Sequence, residues 1–293
     1  MNGRERRGGT MRPERRPEKG LPARANLKVT GGQLAYETTG QGPPVLFIHS
    51  VIADSRMWDR EFPLYSADHQ TIRFDLRGFG GSLPASDAFS YVEDIKSLLA
   101  HLRIHRPYLV GSSMGGAFAI DFALENPEMV RGLFLVAPGL SGGFEPPFDP
   151  EELTAFDYDE KKSQEVARAW SRGDASTAFE LLRQLWCSAL EGSSLELFRR
   201  MVEQNAPEVF DNRSMQHATA LPPAAGRLAT IKVPTTILVG DRDNPSSNFF
   251  AKRIAGSIAD ARLFTVHGAD HLVNLSRPDA FDKALKAALS GIS

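Results

Sequence analysis

Short apolar runs alternate with helix-length amphipathic segments from about residue 27 onward. The runs "LKVTGG" and "QLAYETTG" predict a β-hairpin with a Gly-Gly turn. Further strands are predicted at "PPVLFIHS", "QTIRFDLRG", "RPYLVGS", "VRGLFLVAP", "VPTTILVG" and "ARLFTVHG". Helices are predicted at "SRMWDREFPLYSA", with a break or kink near Pro63, and at "YVEDIKSLLAHLRI", "MGGAFAIDFALENP", "NFFAKRIAGSI" and "PDAFDKALKAALS". This alternation predicts an α/β fold, with a mainly parallel sheet between helices and an antiparallel hairpin at one edge.

The strand–helix alternation stops between about residues 140 and 230. Four helical segments occupy this part of the chain: "PEELTAF", "SQEVARAWSRG", "ASTAFELLRQLWCSALEG" and "SLELFRRMVEQN". An insertion after the sixth strand lies above the carboxyl edge of the sheet, where open α/β folds bind ligands. We therefore predict a helical cap subdomain over residues 141–230 and a core made of residues 25–140 and 231–293.

Composition is that of an ordinary globular protein, but its charge is unevenly distributed. The 293 residues are 42% hydrophobic and 24% charged, with a formal net charge of −2. Residues 1–24 hold seven Arg and one Lys against three Glu and have almost no apolar side chains. This composition predicts a disordered basic extension, part of which would precede a translation start at Met11, and a nucleic-acid-binding arm is the alternative.

The remaining sequence favours a cytoplasmic protein that acts on a small molecule. No apolar stretch is long enough to span a membrane, and the head lacks the apolar region of a secretory signal. The single cysteine, Cys187, excludes an internal disulfide and is predicted to be a buried apolar residue. We expect neither a nucleic-acid nor a membrane partner, and the sequence is compatible with a monomer or a homodimer.

The stretch "YLVGSSMGGAFAI" is a predicted strand, a sharp turn and a helix. This is the setting of a nucleophile elbow, in which the turn holds a serine hydroxyl above the edge of the sheet. The glycines at 111 and 115 permit strained backbone angles and close chain contacts. We predict that Ser113 is a nucleophile and that the backbone N–H of Met114 faces a developing oxyanion.

A nucleophilic serine needs a base and an acid that orients the base. His271 follows the last predicted strand and thereby completes the order Ser, Asp, His. The stretch "TILVGDRDNPSS" favours Asp243 as the acid, with Asp241 as the alternative. Asp270 directly precedes the base, where it raises the pKa of the histidine or points toward solvent.

The loop after the third predicted strand, "IHSVIADSRMW", is expected to supply a second oxyanion donor. The backbone N–H of Val51, two residues after His49, is our choice. The glycine-rich stretch "FDLRGFGGS" contains Asp75 and Arg77, and we interpret it as a loop braced by an ion pair beside the site.

These motifs together resemble the α/β-hydrolase superfamily over residues 25 to 291. The resemblance rests on "IHS" with "DSRMW", "DLRGFGGS", "GSSMGG", "VGDRD" and "HLVNLSRPDAF". It implies an eight-stranded sheet, a helical cap, and a triad of Ser113, His271 and Asp243. Val51 and Met114 would then be the oxyanion donors, in agreement with the roles reached above.

Two stretches, "HSVIADSRMW" and "HLVNLSRP", are most similar to 3-oxoadipate enol-lactonases and related small-ester hydrolases. The chain departs from them at Ser50, His49 and Asp270.

The expected activity is hydrolysis of a carboxylic ester or lactone through an acyl-enzyme. The alternatives are a C–C bond hydrolase of aromatic degradation, against which Ser112 and Leu272 argue, and a ligand-binding relative with negligible turnover.

Candidate substrate-binding residues are aromatic: Trp58, Phe144, Trp170 and Trp186. Arg168, Arg172 and Arg183 are the cap arginines that could face a substrate carboxylate, although the apolar character of the cap favours neutral, moderately hydrophobic esters. The chain shows no Cys/His cluster with metal spacing, so neither a metal nor another cofactor is expected.

Overall fold

One sheet of eight strands forms the centre of the protein. The computed structural model describes residues 24–219 and 221–291. The strands are β1 (Ala25–Val29), β2 (Gly32–Thr39), β3 (Pro44–Ile48), β4 (Gln70–Phe74), β5 (Tyr108–Ser112), β6 (Gly132–Val136), β7 (Thr235–Gly240) and β8 (Arg262–Val266). Their order is β1-β2-β4-β3-β5-β6-β7-β8. Strand β2 pairs antiparallel with β1 and β4, and the other neighbours are parallel. The predicted mostly parallel sheet with an edge hairpin is confirmed.

Strands β3 and β5 are neighbours at the middle of the sheet. Ile48 of β3 lies opposite Gly111 of β5. Every residue of β5 is buried, as expected for a continuous apolar strand that is covered on both faces. Because the two strands are parallel, the segments that follow them leave the sheet at the same edge. The loop after Ile48 therefore lies beside the turn at Ser113.

Helices accompany the sheet throughout the described ranges. They are α1 (Glu61–Tyr65), α2 (Tyr91–His101), α3 (Met114–Glu125), α4 (Pro150–Ser171), α5 (Ala175–Trp186), α6 (Gly192–Gln204), α7 (Ala206–Asp211), α8 (Pro245–Ser257), α9 (Val273–Ser276) and α10 (Pro278–Ser290). Two apolar clusters lie on opposite faces of the sheet. Leu46 and Ile48 belong to the cluster that contains residues of α2, α3 and α8. Val45 and Phe47 belong to the cluster that contains residues of α10 and the helices between β6 and β7. The alternation along β3 follows the two-residue period of a strand.

Helices α4 to α7 lie between β6 and β7, where the sequence predicts an insertion. We call residues 141–230 the insertion. Helix α4 begins with a capping box between Asp149 and Glu152. It is one continuous helix, so the prediction of two separate helices in this stretch is wrong. The intervening polar run lies on an exposed helix face, where Lys161 pairs with Asp157 at 2.9 Å.

The sequence predicts a helix with a break or kink near Pro63 in the segment after the loop that follows β3, but the structure divides this segment at Asp59 and Arg60. A 3-10 helix covers Ser55–Trp58, and α1 is a separate helix of five residues. Pro63 lies inside α1 rather than at its end. It is tolerated because the first turn of a helix contains backbone N–H groups that lack a helical partner.

Buried charges brace the loop after β4, as expected, but Asp75 and Arg77 do not pair with each other. The Arg77 guanidinium donates to both oxygens of Asp94, at 2.7 Å each. Asp75 forms an ion pair with Arg24 and accepts the backbone N–H of Ser55 at 2.9 Å. The two side chains therefore attach this loop to different neighbouring segments.

Three other expectations concern the ends of the chain, the cysteine and the membrane. The predicted basic extension, residues 1–24, lies outside the described residues except for Arg24. Cys187 is a buried free thiol, as predicted. Within residues 24–219 and 221–291, no helix is long and apolar enough to cross a bilayer. The division into a core and a cap subdomain stays a prediction.

Candidate active site

Ser113 lies on a strained turn between β5 and α3. Its φ of 55° and ψ of −121° belong to a region that L-residues seldom adopt. The surrounding backbone holds this conformation. The Ser113 N–H donates to the carbonyl of Val136 at 2.8 Å, and the Ser113 carbonyl accepts from Gly116 and Gly139 at 2.9 Å each. The turn leaves the half-buried Ser113 side chain at the carboxyl edge of the sheet.

The glycines on either side of Ser113 allow strand and helix to pack in contact. A Cβ atom on Gly111 would overlap the backbone of Gly115. A Cβ atom on Gly115 would lie 2.5 Å from the carbonyl oxygens of Ile48 and His49. Since real Cβ atoms do not approach this closely, the turn requires glycine at both positions.

His271 and Asp243 lie in loops that follow neighbouring strands. His271 is in the loop between β8 and α9, and Asp243 follows β7. The His271 Nδ1–H donates to Oδ1 and Oδ2 of Asp243, at 3.0 and 2.9 Å. Both residues are buried, with exposed fractions of 2% and 8%. This bond assigns the proton to Nδ1 and leaves the lone pair of Nε2 available to accept a proton.

Ser113 and His271 line the same cavity. No hydrogen bond joins their side chains in the described part of the chain. Catalytic hydrogen bonds of this kind are commonly longer in a free enzyme and shorten when substrate binds. The serine, the histidine and the orienting carboxylate are thus brought together at one edge of the sheet.

The alternative acid, Asp241, is bound elsewhere. Its carboxylate accepts from His267 Nδ1 and from the backbone N–H of Gly268, both at 2.6 Å. His267 has a fully exposed side chain. The geometry therefore favours Asp243 over Asp241 as the partner of His271.

The loop after β3 carries the expected second oxyanion donor, Val51. The His49 Nδ1–H donates to the carbonyl of Ser50 at 2.8 Å, while Nε2 accepts the backbone N–H of Leu76 at 2.9 Å. Complete burial lowers the pKa of His49 to about 4, which keeps the imidazole neutral. Because a trans peptide places C=O and N–H on opposite sides, holding the Ser50 carbonyl also orients the Val51 N–H.

Val51 and Met114 both line the cavity, next to Ser113. Met114 is the first residue of α3, so its N–H belongs to the positive end of the helix dipole and has no partner within the helix. The cavity has a volume of about 470 Å³, within the usual range for small-molecule sites.

The insertion supplies most of the apolar wall of this cavity. Its lining residues include Val166, Leu182, Leu185, Trp186, Val209 and Phe210. Polar groups come from Ser163 and Asn212 of the insertion and from Ser246 and Ser247 at the start of α8. Among the described residues, no Lys, Arg, Asp or Glu lines it. The surface offered to a ligand is therefore mostly apolar, with a few neutral hydroxyl and amide groups.

The four aromatic residues expected to bind substrate have different locations. Trp186 lines the cavity, and its ring centroid is 4.5 Å from that of His271. Trp58 does not line the cavity. It is fully buried in the core, packed between Phe47 and Phe281 on the insertion side of the sheet. Trp58 occupies a core position because its 3-10 helix turns that side chain inward.

Phe144 and Trp170 contact residues of the cavity wall without lining the cavity themselves. Phe144 packs 5.6 Å from Phe250, measured between ring centroids, in a cluster of phenylalanines at the base of the insertion. Trp170 stacks on Phe210 at 4.5 Å and donates its indole N–H to Asp211 at 2.8 Å. Both side chains support wall residues from behind.

The insertion arginines considered for a substrate carboxylate also lie outside the cavity. Arg168 and Arg172 are exposed. Arg183 makes a bidentate ion pair with Glu180 on the same helix, at 2.9 and 2.6 Å. A ligand carboxylate in the cavity would therefore find no arginine among the described residues.

Two acidic residues beside the cavity residues have buried partners. Asp159 of α4, which received no role from the sequence, accepts the hydroxyl of Ser246, and burial raises the pKa of its carboxyl group. The alternative that Asp270 points toward solvent is wrong, because Asp270 is fully buried and accepts the backbone N–H of Ala189, in the insertion, at 2.9 Å. Its position next to His271 was visible in the sequence, whereas its partner is 81 residues away.

Within the described ranges, no group of three or more His, Cys, Asp or Glu residues is arranged to hold a metal ion. The groups brought together at the cavity are the Ser113 hydroxyl and the His271 imidazole, which is bonded to Asp243, with Val51 and Met114 in the same lining.

Comparison with known proteins adds a family and several relatives. A family model described as "Alpha/beta hydrolase family" matches residues 45–284. A 2-hydroxy-6-oxo-6-phenylhexa-2,4-dienoate hydrolase from Comamonas testosteroni is 26% identical over 264 residues, which are 85% of this chain and 88% of the relative.

Two solved structures cover nearly the whole fold. A thermophilic esterase from Thermogutta terrifontis has a TM-score of 0.73 and 26% identity, covering 92% of this chain and 99% of the esterase. An enol-lactonase from Burkholderia xenovorans LB400 has a TM-score of 0.67 and 20% identity, covering 91% of this chain and 100% of the enol-lactonase. At 20% identity, the similarity to the enol-lactonase supports the fold and not a function.

Proposed function

Because this chain belongs to the alpha/beta hydrolase family, we propose that it is a serine hydrolase that cleaves carboxylic esters or lactones. The observation that carries the proposal is the hydrogen bond of His271 to Asp243 at 2.9 Å, beside a cavity that Ser113 also lines. A base held in the Nδ1–H tautomer beside a serine that lines the same cavity supports nucleophilic catalysis. A solved structure that is 26% identical is a thermophilic esterase.

In the proposed acylation step, the Ser113 Oγ attacks the substrate carbonyl carbon while His271 Nε2 takes the hydroxyl proton. A bond forms between Oγ and the carbonyl carbon, and the carbonyl electron pair moves to oxygen. Collapse of this intermediate expels the alkoxide, which takes the proton from His271. A lactone differs only in that its alkoxide remains attached to the acyl chain.

Deacylation repeats the sequence with water as the nucleophile. His271 removes a proton from a water molecule while the water oxygen attacks the ester carbon of the acylated Ser113. His271 then returns the proton to the serine oxygen. Asp243 holds the imidazole orientation and stabilises the imidazolium in both steps. The proposal assigns the oxyanion to the N–H groups of Val51 and Met114, each of which would contribute about 3–4 kcal/mol to transition-state stabilisation.

The uncharged cavity supports a neutral substrate. An anionic carboxylate moved from water into an apolar site is strongly disfavoured unless a cation pairs with it. No Lys or Arg of the described residues lines the cavity, and its insertion wall is mostly aliphatic and aromatic. We therefore propose that the acyl group is neutral and apolar, and that the insertion acts as a cap over it.

The relative from Comamonas testosteroni supports a second candidate, a C–C bond hydrolase, because its name specifies a dienoate substrate. Such a substrate carries a carboxylate, which the uncharged lining disfavours. A ligand-binding protein with negligible turnover is a third candidate, against which the assembled triad argues. The proposed chemistry calls for no cofactor, and location in the cytoplasm remains a prediction.

The deciding experiment measures hydrolysis of p-nitrophenyl esters from acetate to decanoate by the wild type and by Ser113→Ala. We expect turnover with a chain-length optimum, lost in a folded Ser113→Ala protein. A matched pair, p-nitrophenyl hexanoate and mono-p-nitrophenyl glutarate, tests the neutral acyl group. Equal rates for wild type and Ser113→Ala would refute the serine mechanism. Faster turnover of the glutarate, or of the dienoate named above, would refute the neutral substrate.

A further inference from the structure

We propose that Asp270 is a positioning residue for the catalytic base, because its buried carboxylate fastens the insertion to the loop that carries His271. The inference rests on the proposed function. It assigns a role to a carboxylate that is adjacent to His271 in sequence but is not part of the triad.

The segment at the end of α5 lies directly on the loop of the base. The Asp270 Oδ2 accepts the N–H of Ala189 at 2.9 Å. One residue along the loop, the His271 N–H donates to the carbonyl of Trp186 at 3.0 Å, and the Trp186 ring packs on the imidazole. Cys187, between these contacts, is fully buried. The insertion therefore touches the base loop through two hydrogen bonds and one ring contact.

Asp270 also organises its own loop. Its Oδ1 accepts the N–H of Leu272 at 3.2 Å, and its own N–H donates to Ser276 Oγ at 3.3 Å. The backbone N–H groups of residues 270, 271 and 272 are thus all bonded. The Asp270 carboxylate thus connects Leu272, the residue after His271, to Ala189 of the insertion. A shift of the insertion would therefore also move the imidazole.

The location of the carboxylate argues against a purely structural purpose. Asp270 has no exposed surface, and burial raises the pKa of its carboxyl group. His271 is a titratable group that influences Asp270. Burial, and after it the charges of Asp270 and Asp243, raise the pKa of the Cys187 thiol. A buried carboxylate costs free energy, which two backbone N–H donors offset. Because this unfavourable burial occurs one residue from His271, it supports a role for Asp270 in orienting the imidazole.

Asp121 of α3 provides a matched control. It too is a buried carboxylate that bonds to the insertion, since it accepts the hydroxyl of Ser141. It is 3% exposed and belongs to a helix in the core rather than to the loop of the base. Substituting asparagine at either position removes one buried carboxylate contact with the insertion, but only Asp270→Asn acts beside His271.

The test compares wild type, Asp270→Asn, Asp270→Ser and Asp121→Asn. We measure kcat and KM for p-nitrophenyl hexanoate, the pH profile of kcat, the melting temperature, and the low-field proton resonance of the His271 Nδ1–H. A misplacement of about 1 Å can lower a catalytic rate on the order of 100-fold. We expect Asp270→Asn to lower kcat by about 10- to 100-fold, with KM within about twofold of wild type.

We also expect the Nδ1–H resonance to shift or broaden and the pH profile to move in the Asp270 variants, while Asp121→Asn changes only the melting temperature. Asp270→Ser, which is smaller and keeps an acceptor, replaces Asp270→Asn if the latter does not fold. Unchanged kcat and an unchanged resonance in a folded Asp270 variant would overturn the proposal. The resonance is observable without turnover, so an inactive wild type would refute the esterase function and leave the positioning role decidable.

Discussion

Gly115 at the start of α3 lies against His49, the residue after β3, so closely that a Cβ atom on Gly115 would be 2.5 Å from the His49 carbonyl oxygen. The turn at Ser113 and the loop that carries Val51 therefore share one backbone contact. Any change that separates them moves both the proposed nucleophile and the proposed oxyanion site.

The first prediction follows from this contact. Gly115→Ala must push the turn away from β3, and overpacking of this kind typically costs about 1–3 kcal/mol. We expect ester hydrolysis to fall at least 100-fold together with the melting temperature. Gly256→Ala is the control, since a methyl group on Gly256 of α8 would meet no neighbouring atom within 4 Å. That variant should keep full activity and gain about 0.5–1 kcal/mol of stability. Full activity of Gly115→Ala would contradict the prediction.

The acid of the triad is tested by two asparagine variants. Asp243→Asn removes the carboxylate that holds the Nδ1–H of His271, so kcat should fall by about 10⁴-fold while the fold persists. Asp241→Asn, at a carboxylate bonded instead to His267, should stay within about threefold of the wild-type kcat. Steady-state kinetics on one p-nitrophenyl ester distinguish the two. A larger loss for Asp241→Asn would reverse the assignment.

The oxyanion loop depends on the imidazole of His49. His49→Phe keeps a ring in the core but removes the bond to the Ser50 carbonyl and leaves the Leu76 N–H without its acceptor. We expect kcat to fall by about 10- to 100-fold, with a smaller change in KM. The loss should not exceed the loss in kcat that removal of one oxyanion donor causes. His101→Phe is the control, because His101 is exposed and its ring bonds to the hydroxyl of Tyr36 rather than to the loop that carries Val51. Wild-type kcat for His49→Phe would show that other contacts hold the loop.

Glu61 makes stability depend on pH. Burial raises the pKa of Glu61 from 4.5 to about 8. Between these values the folded protein binds a proton that the unfolded chain has released, so the free energy of unfolding falls as pH rises. Glu61→Gln removes this loss. At pH 8 we expect the variant to be more stable than wild type by an amount on the order of 1–3 kcal/mol. Urea unfolding at pH 5 and pH 8 checks this, and equal pH slopes for the two proteins would refute it.

Most of the fold could be predicted from local patterns. Each strand is a short apolar run, and the alternation of strands with amphipathic helices leaves few topologies for a parallel sheet. The two incorrect predictions of helix boundaries also concern local structure. The polar run around Asp157 and Lys161 does not interrupt α4, because its side chains lie on an exposed face stabilised by i,i+4 pairing. Pro63 does not break α1, because the first turn of a helix needs no N–H there.

The sequence by itself determined the candidate chemistry, since a serine between glycines, a carboxylate and a histidine each follow a recognisable strand in the required order. Only the tertiary structure decided which groups meet. It paired His271 with Asp243 and His267 with Asp241, buried Trp58 in the core, placed Trp186 against the imidazole, and joined Asp270 to Ala189. The physical reason is that local sequence periodicity specifies which face of an element is apolar. Contacts between residues far apart in the chain depend on how those elements pack.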